Sequence, residues 1–455
     1  MRFLGMGEHV SLGDMYLRLA AQGHDVRVYV DDVEMRDDIM RGMVQFTTEW
    51  KNELDWVRLA GDEGIILFET STHGDLQAEL RAKGYNVIGG SPLGTRLELD
   101  RAYGQQVMRD TMDIQTAATH RFTGFDDGIR FLREHPGRFV FKMNGAGYAS
   151  FRNYVGEMAD GSDVVAMLSL QRDRWPYEET PDFVLMEHIQ GVEIGVGAYF
   201  NGEHFLQPAC LDWEHKRFFN GDLGELTGEM GTLVTYRGYE RLFEHTLARM
   251  APLLAEDGYV GYINVNTIVS ERGIVPLEFT TRFGYPGFAI LDALHIGEGW
   301  AEIFSAMVTR KTLTFPTHPG YALGVVLTVP PFPYSFGYEN LSKGMPISFR
   351  ADMSAEDSDG LHHSEVAMEG GRLVTAGSIG YVTVVTGRGE RAEVARDRAY
   401  SLARKVIIPN VRYRTDIGEK FIREDRDLLV KWGWMQHGAE EPSGVRDGAA
   451  EPRLR

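Results

Sequence analysis

Pro276-Leu-Glu-Phe-Thr-Thr-Arg-Phe-Gly-Tyr-Pro286 continues a short apolar run that begins at Ile274, and the rest of the chain is organised around it. Ile274 to Phe279 reads as a buried strand that stops at Gly284 and Pro286, so Glu278 and Arg282 emerge where strand turns into loop. A carboxylate and a guanidinium at a strand end suit a divalent metal and a phosphate. Oxygen-rich Mg²⁺ sites use one or two carboxylates and leave the other positions to water and phosphates, while Arg offers a rigid donor fork. A plain ion pair between Glu278 and Arg282 is the competing reading.

Outward from this stretch, Gly258 to Ile268 is the preceding strand, with Asn264 and Asn266 on one face. One of them faces a metal beside Glu278, or both satisfy buried backbone groups. Tyr239 to Glu256 reads as a helix. Before it, Asp212 to Gly231 reads as one long polar, glycine-dense loop, too specific in composition for a spacer. Phe183 to Ile189 and Gly191 to Phe200 are strands. They supply either a connector whose backbone pairs with an adenine edge, with Glu193 on a ribose, or an ordinary β-meander. The strand Phe139 to Lys142 runs into the glycine-rich Met143 to Ser150, so Lys142 either reaches nucleotide phosphates under that loop or is a solvated lysine beside a hairpin.

The N-terminal part holds two βαβ units: Arg2 to Gly5, helix Asp14 to Gln22, Val26 to Val30, then Ile65 to Phe68, helix Leu76 to Lys83, Tyr85 to Ile88. Gly5-Met-Gly7 reads as a tight turn. It lacks the third glycine of a dinucleotide fingerprint, which makes a dehydrogenase a poor reading. Helices are expected over Leu97 to Thr111 and Phe125 to Glu134. From Tyr321 onward strands and turns dominate, with a hairpin at Gly370-Gly371 and a closing helix over Glu390 to Lys405.

A chain of 455 residues should form about three domains. The expected division is 1–93, a parallel α/β domain; 94–320, with a lid at about 115–190; 321–437, mostly β; and 438–455, a disordered tail rich in Gly, Ala, Pro and charge. Lys+Arg 47 against Asp+Glu 66 gives a net charge of −19, which argues against a nucleic-acid or anionic-membrane partner. Cys210 is the one cysteine, so no disulfide framework exists, and no signal peptide or apolar membrane span is read. A cytoplasmic protein, monomer or homodimer, is expected.

Three spaced stretches carry a family resemblance. They are Asp212-x-x-His215-Lys216-Arg217 with Gly221-Asp222-x-Gly224-x-x-Thr227-Gly228-x-Met230-Gly231; Leu277-Glu278-Phe279-x-x-Arg282-Phe283-Gly284-x-Pro286; and Gly370-Gly371-Arg372 with Tyr413-Arg414-x-Asp416-Ile417-Gly418. Together they resemble the ATP-grasp superfamily, and within it the phosphoribosylamine–glycine ligases, from about Leu97 to Ile422. The resemblance implies an α/β chain: an ATP-grasp fold with an N-terminal parallel α/β (pre-ATP-grasp) domain and a C-terminal mostly β domain.

It also implies a reaction and its parts. ATP would phosphorylate a carboxylate, glycine or another amino acid, and an amine acceptor would displace the phosphate to give an amide. Such chemistry rests on positioning and charge neutralisation, which agrees with the lack of a nucleophile–base pair. Glu278, with Asn266 and Thr280, would hold Mg²⁺ or Mn²⁺; Arg282 the γ-phosphate; Lys142 the inner phosphates; Glu187, His188 and Ile189 the adenine; and Glu193 the ribose. His215, Lys216, Arg217 and Asp222 would serve the acid and its acyl phosphate, with Gly228, Met230 and Gly231 lining the substrate. The chain departs from the family pattern at Thr280, Tyr285, Gly287 and Phe151-Arg152. It also carries Gly7-Glu8-His9-Val10-Ser11-Leu12 where a phosphoribosylamine-holding signature stands. A changed acceptor, or a nucleotide-binding regulator without turnover, are the alternatives these departures raise.

Overall fold

The computed structural model describes residues 1–144, 153–175, 180–297 and 299–436. Its N-terminal sheet places Asp25–Val30, Arg2–Gly7, Gly64–Phe68 and Asn86–Ile88 side by side, all parallel, with Gly13–Ala21 and Gly74–Ala82 among the connecting helices. Gly64–Phe68 is buried at every position, as a central parallel strand covered on both faces must be. Gly5 and Gly7 do not form the expected turn but lie inside the first strand. A Cβ on Gly7 would fall 2.0 Å from the Glu69 carboxylate, and one on Gly5 2.4 Å from the Tyr16 ring. These glycines permit close side-chain approach rather than chain reversal.

The centre is an eight-stranded antiparallel sheet. Its order is Gly273–Thr280, Val260–Ser270, Val192–Asn201, Cys210–Glu214, Gly231–Thr235, Tyr321–Thr328, Tyr381–Gly389, Leu361–His363. Because Gly231–Thr235 pairs with Tyr321–Thr328, the sheet runs unbroken past residue 320. The expected loop from Asp212 to Gly231 is therefore mostly strand: the ends of two sheet strands, with the hairpin Arg217–Phe219 and Leu223–Leu226 between them. Gly221, with φ of +68°, lies in the turn of that hairpin, and Gly224, with φ of +80°, lies in its second strand.

A separate four-stranded sheet, Thr119–Phe122, Phe183–Glu187, Phe139–Met143 and Tyr154–Val155, carries the helices Phe125–Glu134 and Ser162–Arg174. It has its own core, built on Phe125, Leu132, Phe141, Val164, Leu168 and Phe183. Lys142 thus hangs from a body whose interior is distinct from the one beneath Glu278.

Two expected helices are broken. Leu97 to Thr111 divides into Pro92–Leu99 and Arg101–Met112, because the Asp100 side chain accepts from the Tyr103 N–H at 3.1 Å and restarts the helix. Tyr239 to Glu256 becomes Glu240–His245, a 3₁₀ turn at Leu247–Met250, and Ala251–Asp257, whose first turn takes Pro252. The hairpin at Gly370-Gly371 forms with φ of +55° and +77°, and Ala392–Ala403 is the closing helix. The glycine-rich loop beyond Asn144 and the tail from 437 lie outside the described residues. No described helix is long and apolar enough to cross a membrane.

Candidate active site

Strand register builds the first part of the site. Asn266 lies opposite Glu278, and Asn264 opposite Thr280, on the paired strands at the sheet edge. Around Glu278 converge Arg101 Nη1 at 3.2 Å, Lys142 Nζ at 3.6 Å and Lys216 Nζ at 3.6 Å. Lys216 also lies 3.0 Å from Glu214 and 3.2 Å from Glu193, and Asn266 Nδ2 donates to Glu193 at 2.7 Å.

Charges set the protonation of this group. Lys142, with Lys216 and Arg101, holds the Glu278 carboxyl well below its usual range although burial opposes this. Burial, Arg101 and Lys216 push Lys142 down, with Glu278 pulling the other way. Burial also works against charge on Lys216, but Glu214, Glu193 and Glu278 outweigh it and raise the ammonium. Two of the Lys–Glu278 contacts are longer than hydrogen bonds, so an arriving phosphate chain can take the cations and leave carboxylate oxygens to a metal.

Glu278 is not paired with Arg282, so the plain ion-pair reading fails. Arg282 Nε donates to Glu98 at 3.0 Å, and the other Glu98 oxygen accepts the Thr281 N–H at 2.8 Å. At the far end of the site, Glu187 closes its strand and the Glu187 and His188 N–H groups go to the carbonyls of Ala118 and Arg138, both at 2.9 Å, with Ile189 just beyond.

Beside Thr280 the sheet face opens into a cavity of about 40 Å³, walled by Tyr199, Tyr262 and Phe283 and lined by Asp212, Glu214 and Glu229. Asp212 Oδ1, Glu229 Oε1 and Thr232 Oγ1 are buried there without a hydrogen-bond partner among the described residues. Asn264 Nδ2 donates to the other Asp212 oxygen at 2.6 Å. Burial and Glu214 push Asp212 up to about 7, and burial with Glu214 and Asp212 raises Glu229 further. Carboxyl groups crowded against aromatic rings would favour a small cation such as a primary ammonium.

The hairpin after Glu214 holds most of the remaining expected site residues in structural contacts. Arg414, whose side chain is 1% exposed, donates to Asp222 Oδ1 at 2.8 Å, to the Arg217 carbonyl at 2.9 Å and twice to Asp416 at 2.8 Å. Asp222 is therefore a structural anchor, held at φ +55°. His215 is buried, kept neutral by burial and by Arg414, which lower it to about 4, and its Nε2 accepts the Gly418 N–H at 3.2 Å. It ties the strand to the C-terminal segment. Arg217 folds back on the Gly224 carbonyl at 2.6 Å. The Met230 side chain lies wholly in the core, and a Cβ on Gly231 would sit 2.4 Å from the Gly324 carbonyl. Of this stretch, Lys216 alone enters the charged cluster. A Cβ on Gly228 would lie 3.2 Å from the Tyr381 hydroxyl.

The ATP-grasp (A) domain of phosphoribosylglycinamide synthetase matches residues 99–288, and the C domain of the same synthetase matches residues 322–420. The chain is an ATP-grasp protein of the phosphoribosylglycinamide synthetase type. It is similar to the phosphoribosylamine–glycine ligase of Rhizobium meliloti, 27% identical over 364 residues, which is 76% of this chain and 80% of that protein. The Pseudomonas aeruginosa ligase is 26% identical with the same coverage. Among solved structures, the Thermotoga maritima phosphoribosylamine–glycine ligase superposes with a TM-score of 0.65 at 22% identity, covering 92% of this chain and all of that one. The biotin carboxylase domain of the Hydrogenobacter thermophilus 2-oxoglutarate carboxylase gives 0.62 at 12% identity, covering 92% and 97%.

Membership makes this ATP-grasp protein an ADP-forming carbon–nitrogen ligase and implies ATP and Mg²⁺. Among the described residues no three His, Cys, Asp or Glu side chains gather as a metal cluster. Mg²⁺ takes few protein carboxylates and completes its shell with water and phosphate. Glu278 and Asn266, opposite each other, bring oxygen atoms together, with Thr280 two residues further along the strand. Sequence reading missed Arg101, which lies 177 residues from Glu278 and carries no local signal. It also missed Glu214, although alternation along Cys210–Glu214 places it on the same face as Asp212.

Proposed function

We propose that this ligase activates an amino-acid carboxylate with ATP and transfers the acyl group to an amine other than the family's reference acceptor. The carboxylate oxygen attacks the γ-phosphorus, ADP leaves, and an acyl phosphate forms; the amine nitrogen then attacks the acyl carbon, the carbon–oxygen bond breaks, and phosphate departs as the amine loses a proton. One observation carries the reading. Cations from two bodies, Lys142 on one and Lys216 on the other, meet at Glu278 beside a cavity where Asp212 and Glu229 each keep one carboxyl oxygen without a partner among the described residues.

Each part has a task in this scheme. Lys142, Arg101 and Lys216 neutralise the phosphate chain. Glu278 and Asn266 would hold Mg²⁺, which when bound draws charge from the transferring phosphoryl group. Glu193 takes the ribose, the Glu187 to Ile189 connector the base, and Arg282, released from Glu98, the γ-phosphate. Asp212 and Glu229 take the ammonium of the amino acid, which aims its carboxylate at the phosphates.

ADP release from Mg-ATP, screened with amino acids, tests the scheme. At least one amino acid should stimulate release, while the corresponding acid without its amino group should not. Gly228→Val should push Tyr381 off Glu229, whose backbone N–H and carbonyl it bonds at 2.9 and 2.7 Å. It should abolish acid-dependent release and leave nucleotide affinity within about threefold by calorimetry. ATP binding without acid-dependent release for any amino acid would replace the ligase with a nucleotide-binding regulator.

A further inference from the structure

A second cavity, of about 360 Å³, lies at the carboxyl ends of the N-terminal strands, where open α/β sheets receive ligands. His9 and Ser11 follow the first strand, and Asp32 follows the second. Ser364 and Glu365 face them from the C-terminal part, and Tyr285 arrives from the loop just past Glu278. The cavity adjoins the inner one. Tyr285 and Tyr381 pack edge-on at 5.5 Å, and Tyr381 is bonded to the backbone of Glu229, which lines the inner cavity.

Its chemistry differs from that of the phosphate side. Among the described residues no lysine or arginine lines it; His9 is the one basic side chain there, against Asp32 and Glu365. Glu365 is buried and fixed by the N–H groups of Ile379, Gly380 and Tyr381 at 3.3, 2.6 and 3.1 Å. Asp32 Oδ1 takes the N–H groups of Glu34 and Met35 at 2.9 and 3.1 Å. Val10, Met35, Ile39 and Ile379 give the wall a hydrocarbon part, and Ser11, Ser364, Ser378, Tyr285 and Tyr381 bring neutral hydroxyls to it. A phosphate dianion would meet two fixed carboxylates with no guanidinium or ammonium to receive it.

We infer that this cavity is the acceptor site and that it takes a cationic amine with a compact apolar body and no phosphate group. The inference rests on the ligase reading for its chemistry, but the cavity's preference can be measured alone. An incoming ammonium is held by Asp32 and Glu365 and gives one proton to Glu365. The free nitrogen then forms the bond to the acyl carbon, phosphate leaves with the carbon–oxygen electron pair, and the departing phosphate takes the second proton from the nitrogen. Burial pushes Glu365 up to about 7, which suits a group that accepts this proton.

The test has a binding arm and a turnover arm. Calorimetry on the intact protein with a non-hydrolysable ATP analogue and Mg²⁺ should show binding of alkylamines and arylalkylamines such as hexylamine or phenethylamine, and none of ribose 5-phosphate at millimolar concentration. Asp32→Asn keeps the backbone cap, since Asn also accepts, and should weaken the amine by about tenfold. Glu365→Gln should weaken it similarly and, in turnover, raise the amine KM while the ATP KM stays unchanged. Amide formation with an unphosphorylated amine completes the support. Ribose 5-phosphate binding that competes with the amines, turnover with phosphoribosylamine alone, or amine binding indifferent to both substitutions would overturn the inference while leaving the ligase intact. Amine binding lost in Asp32→Asn but no acid-dependent ADP release would uphold the cavity's preference and sink the ligase reading.

Discussion

Two charged networks leave the same hairpin in opposite directions, and they are built to different standards. Around Arg414 every contact is a hydrogen bond of 2.8 to 2.9 Å, the guanidinium is buried, and its partners Asp222 and Asp416 answer it directly. Around Glu278 the lysines stand at 3.6 Å, cations crowd cations, and Glu214, Glu193 and Glu278 share Lys216. The first arrangement is complete without a ligand; the second has like charges that only a ligand can separate. Residue types alone do not distinguish them, since both combine basic groups with Asp or Glu. Distance and satisfaction do.

The contrast can be broken most forcefully at Arg414. Arg414→Ala strips a buried cation from Asp222, Asp416 and the Arg217 carbonyl, and should cost about 3–5 kcal/mol of stability in chemical denaturation. A loss below about 1 kcal/mol would mean that the network is ornamental. At Glu278 the expectation reverses. Glu278→Gln should lower turnover a hundredfold or more, about 2.7 kcal/mol in barrier, with the fold retained. Near-normal turnover would make Glu278 a structural ion-pair partner like Asp222.

Lys142→Ala sharpens the comparison from the nucleotide side. Ligand at a hundred times its Kd stabilises a protein by about 2.7 kcal/mol, and the variant should lose most of the Mg-ATP shift in a thermal melt. An unchanged shift would remove Lys142 from the site. The smallest effect belongs to His215. Its folded value of about 4 lies below the ordinary 6.5, so between those values the unfolded chain binds more protons. Its contribution is present above pH 6.5 and is lost as the pH falls through about 4. His215→Gln, which keeps an acceptor for Gly418, should flatten the stability difference between pH 6.5 and 4, while a parallel curve would show that His215 does not report on this network.

Much of the site was legible because strand ends announce themselves. Lys142, Glu193 and Glu278 each sit where an apolar alternating run meets glycine or proline, and Glu278 and Lys142 meet in space. What escaped was pairing between distant segments. Asp212 to Gly231 carries the local signature of a loop, yet its ends are strands because Val192–Asn201 and Tyr321–Thr328 lend them hydrogen-bond partners. His215 and Asp222 looked chemical for the same reason: their partners, Gly418 and Arg414, lie nearly 200 residues away. Pro252 and Asp100 show the converse, where attention to one residue would have predicted both helix breaks.

The separate interior of the four-stranded body has a calorimetric consequence. With no shared core between the sheet that carries Lys142 and the sheet that carries Glu278, each can melt on its own, and the heat-capacity trace of the bare chain should contain more than one transition. A triphosphate gripped from both sides joins the two enthalpies into one peak. The merging of those peaks with added Mg-ATP is a readout of bridging that needs neither a known substrate nor a single turnover.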